Sequence, residues 1–166
     1  MQALCNLAKT YGPLAGRILI TLIFLRSAYG KITGFSTVAG VMAKKGMPFS
    51  EVLLAGAIVF EIAGGLMILL GWNARWGALL LAIFLIPATL IFHNFWAADA
   101  AQLPNQLNHF MKNVSILGAL VFIIGMGSGP LSLRTTNRIS RQGAKAPRRQ
   151  ETRNGKQDDT AVRSAW

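Results

Sequence analysis

Glu61 is a carboxylate in the middle of an apolar run, and it is the first residue to explain. It lies nine positions into the stretch 52–71, which has no other charge. At 1.5 Å per residue that places it about 13 Å below the outer end of a helix. A charge near a bilayer centre costs roughly 2.5–3.5 kcal/mol, so it normally faces other protein and finds a partner. Two cations qualify, Arg26 and Lys31. Arg26 sits at the same depth in the preceding stretch, about 13 Å from its end. Lys31 is nearer the end, with a stem long enough to reach inward. Helical phase groups Lys31 with Arg17 and Phe24 and turns Arg26 to roughly the opposite side from Arg17, so both partners stay open. Glu61 either locks two helices together or lines a ligand or proton path.

A second polar group follows, His93 and Asn94 and then His109, Lys112 and Asn113, interleaved with Phe92, Phe95, Trp96 and Phe110. Imidazole and amide groups offer hydrogen bonds, lysine compensates negative charge, and the aromatic rings supply apolar walls. With Lys31 these residues suit a polar head whose tail lies in lipid. A quinone or a small anionic ligand fits. Aromatic anchoring at a membrane interface is the competing explanation. Two histidines and six acids support no dense metal cluster, and no metal site is expected. Cys5, the one cysteine, excludes an internal disulfide, a Cys-x-x-Cys pair and a thiolate cluster. No nucleophile–base–orienter arrangement is readable.

The elements that position these groups follow from hydropathy. The chain has 166 residues, 52% hydrophobic and only 14% charged, against about 25% charged in soluble domains. Four stretches, 13–35, 52–71, 75–93 and 112–129, approach the roughly 20 apolar residues that cross a bilayer. They lack the alternation of strands. The prediction is an all-α polytopic membrane protein: an N-terminal segment 1–12, a four-helix transmembrane bundle over 13–130, and a disordered basic tail over 131–166. The run 18–25 followed by Ala28-Tyr29-Gly30 imitates a secretory signal, but Arg26 and three further spans favour a retained helix. Ala57, Glu61, Gly64, Gly65 and Ile68 share one face, and small residues there permit close helix approach. Pro87 removes the hydrogen bond to the Ile83 carbonyl.

The net charge of +11 is uneven, with eight basic and three acidic residues in 1–130 against nine and three in 131–166. The basic character belongs to the tail, which lacks the interleaved aromatics of a nucleic-acid binder, so no nucleic-acid partner is expected. Contact with anionic lipid headgroups suits it. Lysine and arginine bias places both termini in the cytoplasm, although Lys44 and Lys45 fall on the outer side.

Several motifs run in order along the chain: Arg17-Ile18-Leu19-Ile20 through Phe24 to Lys31, Phe60-Glu61-Ile62-Ala63-Gly64-Gly65 to Gly71, Phe92-His93 with Phe95-Trp96, and Phe110-Met111-Lys112-Asn113 to Gly118. Together they resemble the DoxX family of small four-helix membrane proteins, over roughly 13–128. The resemblance implies a bacterial inner-membrane protein and an accessory role in a redox system, with quinone as acceptor or a soluble redox partner. Its landmark residues are Arg17, Lys31, Glu61, His93, Lys112 and Asn113; Arg26 is not among them. Any enzymatic role is that of an oxidoreductase subunit, because the chain shows no signature for a prosthetic group of its own. A scaffold without ligand chemistry is the alternative. A small transporter would require a homo-oligomer.

Overall fold

The structure, a computed structural model, describes residues 1–133. Five helices follow one another: α1 (Gln2–Thr33), α2 (Phe35–Lys44), α3 (Ser50–Leu70), α4 (Ala74–Phe92) and α5 (Leu103–Met126), with a 3-10 turn at Phe95–Ala97 before α5. Helices α1, α3, α4 and α5 are long and apolar enough to cross a membrane. The described residues contain no strand. The all-α, four-span expectation therefore holds for them, and the chain is an integral membrane protein. The disordered basic tail expected from 131 falls, from residue 134 on, outside the described residues.

Helix α3 is central, packing against α1, α2 and α4, while α5 closes on the far side of α4. Buried Phe24, Ile68, Leu81 and Leu120 bring α1, α3, α4 and α5 into one core. Outside that core the surface is apolar, with Leu19, Val59, Ile83 and Phe122 exposed, as acyl chains rather than water require.

The glycines of α3 set the spacing. A Cβ on Gly64 would stand 2.9 Å from the Gly77 carbonyl and 2.7 Å from Leu81, and one on Gly77 would stand 2.8 Å from the Gly64 carbonyl. Backbone thus meets backbone where α3 crosses α4, which only glycine permits. Gly65 faces the other way, toward Leu25 and Thr21 of α1.

Three boundaries differ from expectation. Helix α1 begins at Gln2, so residues 2–12 extend the helix and form no separate segment; Ala, Leu, Gln and Lys are strong helix formers whatever their hydropathy. The region 36–51, left between the first two expected spans, contains α2, started at Gly34 and released at Gly46, whose φ is +78°. Its Ala39 and Met42 bury themselves against Leu54 of α3. Helix α5 starts at Leu103, with Pro104 in its first turn, a position that suits proline. His109, Lys112 and Asn113 consequently lie inside the helix and do not open it.

Candidate functional site

Along α1, Arg17, Thr21, Phe24 and Ala28 form the buried face, and Lys31 continues it one turn on. Lys31 Nζ donates to both Glu61 oxygens at 2.8 Å and to Ser27 Oγ at 2.6 Å. The Glu61 side chain is 2% exposed and that of Lys31 21%. Among the described residues this is the one salt bridge, and it joins α1 to α3. Arg26 takes no part. Five residues from Lys31, it points about 140° away, is exposed, and rests 5.9 Å from the Tyr29 ring centroid. Equal depth favoured Arg26, but helical phase decides for Lys31.

The second polar group sits where α4 ends and α5 passes it. Thr89, buried, donates to the Leu85 carbonyl at 2.7 Å, and Asn113 Nδ2 donates to Thr89 Oγ1 at 3.0 Å. These two bonds tie α5 to α4 without charge. His93 caps α4, its N–H donating to the Thr89 carbonyl at 2.9 Å, and its Nδ1 lies 3.2 Å from Gln106 Oε1. The His93 and His109 rings stack, centroids 4.9 Å apart and planes 15° from parallel. Lys112 Nζ donates to His109 Nδ1 at 3.2 Å. Phe95, Trp96 and Phe110 pack edge to face beside them.

The two groups share one cavity of about 780 Å³. Lys31 and Glu61 line it, and so do His93, Lys112 and Asn113, together with Ser27. Its walls are otherwise apolar and come from all five helices; Val38 and Met42 of α2 cover one side. Leu53, Phe60, Ile83 and Ile91 line the cavity yet also reach the outer surface, so it opens sideways, toward lipid. Pro87 lines it too; having no N–H, it leaves the Ile83 carbonyl as a backbone acceptor on that wall.

Of the expected site residues, Asn94 and His109 stand apart. Asn94 precedes the 3-10 turn, where its carbonyl accepts from the Ala97 N–H at 3.0 Å. His109 touches the site only through His93 and Lys112. Sequence reasoning missed Ser27 and Gln106. Ser27 was within reach of inference, four residues before Lys31 on the same face. Gln106 was hidden by the belief that α5 had not yet begun.

At the opposite end of the bundle Arg17 is buried, donating to the Leu131 carbonyl at 2.6 Å and the Pro13 carbonyl at 3.3 Å. Arg75 donates to the Gly125 carbonyl at 3.2 Å. Both arginines therefore lie at the end where the chain leaves α5.

Comparison with known proteins agrees with this architecture. The DoxX family profile matches residues 12–94. Inner membrane protein YphA of Escherichia coli (strain K12) is 34% identical over 122 residues, which cover 72% of this chain and 86% of that protein. Inner membrane protein YqjF of the same organism is also 34% identical over 122 residues, covering 74% and 88% respectively. The Surfeit locus protein 4 homolog of Schizosaccharomyces pombe is 26% identical over 133 residues, which span 79% of this chain but only 39% of that longer protein. No solved structure matches the chain significantly. Since the profile covers the first three spans and YphA and YqjF align along most of their length, the chain belongs to the DoxX family.

Proposed function

We propose that this protein is an accessory component of a redox system in the bacterial inner membrane, where it holds a quinone-like or small anionic ligand in the cavity beside Glu61 and His93. The observation that carries the reading is the convergence of six polar residues, from α1, α3, α5 and the end of α4, on one lipid-facing, otherwise apolar space. Ligand sites have this character, mostly apolar with a few placed polar groups, at volumes of about 300–1,000 Å³. The names of YphA and YqjF support the membrane assignment. Both termini are cytoplasmic in this reading, because Arg17 and Arg75 share the end from which the basic tail departs. The ligand enters between helices and sets its head against His93, Asn113 and Lys112. The Lys31–Glu61 pair forms the floor and holds or yields a proton there.

The test is organic extraction of protein purified in mild detergent, with mass spectrometry of what is released, followed by titration of the stripped protein with a decyl-chain quinone. About one equivalent of a quinone-class molecule, lost in His93→Ala, is the expected result. An empty extract, no binding on titration and a His93→Ala variant indistinguishable from wild type would refute it. One observation favours the scaffold reading instead: Lys31 and Glu61 already satisfy one another and so can serve assembly alone. In that case a stoichiometric protein partner co-purifies and no small molecule does.

A further inference from the structure

The charge around the cavity is lopsided. Glu61 is the one acid lining it, and both its oxygens are taken by Lys31. What remains at the mouth is basic. Lys112 lines the cavity and has one hydrogen-bond partner among the described residues, His109, for an ammonium with three donors. Lys45, just beyond α2, reaches across to α4, donating to the Ile91 carbonyl at 3.4 Å and lying 5.7 Å from the Phe92 ring centroid; both of those residues line the cavity. The ionisable groups around His93 are His109, whose ring stacks on it, Lys112 and Lys45, all of them basic residues. Two acids lie at this end, Glu51 and Asp99, both exposed. Neither pairs with these lysines, since Lys31–Glu61 is the one salt bridge among the described residues. Asp99 instead accepts from the Gln102 N–H at 2.8 Å.

The mouth is also rich in donors. Asn113 spends its amide on Thr89 with one N–H to spare, and Lys112 has two. A neutral head offers these two exposed ammonium groups little beyond their hydration, whereas a negative head engages them in charge-assisted hydrogen bonds. From Lys45, Lys112 and Asn113 at the mouth of a laterally open apolar cavity, we infer that the occupant is a single-chain amphiphile with an anionic head. The chain lies along α3 and α4 and the head against Lys112 and Asn113. This rests on the cavity reading above and specifies the charge of what that cavity holds.

The experiment compares three probes on the full chain in a nonionic maltoside at pH 8: dodecanoate, dodecanol and a decyl-chain benzoquinone, with binding and stoichiometry read by native mass spectrometry. Dodecanoate should saturate at one equivalent and bind at least tenfold more tightly than dodecanol. In Lys45→Gln/Lys112→Gln, two exposed positions whose change leaves the core intact, the preference should shrink to within about twofold. Arg26→Gln, a cation outside the cavity, should preserve it. If dodecanol or the quinone binds as tightly as dodecanoate, or the double variant keeps the preference, the anionic head is refuted while the cavity reading stands. If no probe reaches one equivalent on the folded protein, the cavity reading falls with it.

Discussion

Neutralising Lys31 should damage the bundle more than neutralising Glu61, although the two make the same contact. In Lys31→Met the carboxylate keeps its place with 2% of its side chain exposed and loses the ammonium that compensated it. Removing one member of a buried pair costs about 3–5 kcal/mol. In Glu61→Gln the surviving ammonium is 21% exposed, retains the Ser27 hydroxyl at 2.6 Å, and has a flexible stem that can carry it outward. That loss should amount to hydrogen bonds to a charged group, about 1.5–3 kcal/mol. In the double variant Lys31→Met/Glu61→Leu no charge is left to desolvate, and stability should return to within about 1 kcal/mol of wild type.

SDS-induced unfolding in mixed micelles, followed by far-UV circular dichroism, gives all four values. The expected order of loss is Lys31→Met, then Glu61→Gln, then the double variant. Arg26→Leu should move stability by no more than about 0.5 kcal/mol, as at an uninvolved surface site. Two results would refute the reasoning: losses that simply add in the double variant, or a Glu61→Gln loss exceeding that of Lys31→Met.

Two further outcomes follow from the packing. Gly64→Ala and Gly77→Ala each drive a methyl to within 3 Å of a facing carbonyl and should destabilise by roughly 1–3 kcal/mol; Gly118→Ala, with nothing within 4 Å, should instead stabilise by about 0.5–1 kcal/mol through helix propensity, and the same SDS titration separates the signs. Arg17→Met removes the 2.6 Å bond to the Leu131 carbonyl, a charged hydrogen bond of about 1.5–3 kcal/mol. Hydrogen exchange measured by mass spectrometry over 127–133 should therefore accelerate by roughly ten- to a hundredfold, with protection of α3 and α4 unchanged.

What the sequence made legible was whatever depended on one helix at a time. The run 52–71 announced a span, its spacing put Glu61 on the same face as Gly64 and Gly65, and that face is the buried one. Phase within α1 likewise grouped Lys31 with Arg17 and Phe24. Depth and phase favoured different cations for Glu61, and phase prevailed because a guanidinium five residues out of register cannot turn through the helix. Illegible features were those that hydropathy does not encode. The first turns of α5, with Asn105, Gln106 and Asn108, read as loop because they are polar, yet they are helical and carry Gln106 to His93. Helix α2 is too short for a span and too mixed for a clear period, and its stability comes from covering Leu54. Lys45 looked like an outer-loop charge that weakened the topology argument; its reach to Ile91 is a tertiary contact no local pattern contains.

The position of the cavity follows from where α3 and α4 come into backbone contact. At Gly64 α4 meets α3 backbone to backbone through Gly77, and no residue of α3 past Glu61 lines the cavity. Between Val52 and Glu61 the one glycine, Gly56, has nothing within 4 Å of an added Cβ, so no such backbone contact forms there, and every cavity-lining residue of α3 lies in that half. On α4 the division repeats, with lining residues only from Ile83 on, the part of the helix that contains Pro87 and its lost hydrogen bond. Glu61 thus sits at the seam between a closed half and an open one. Placed in the closed half, a carboxylate would prise apart the glycine contact. At the far rim it would be hydrated and no longer need Lys31. At the seam it is buried enough to require its cation and close enough to the cavity to meet what enters there, so one residue can both fix the docking of α1 on α3 and form part of the site.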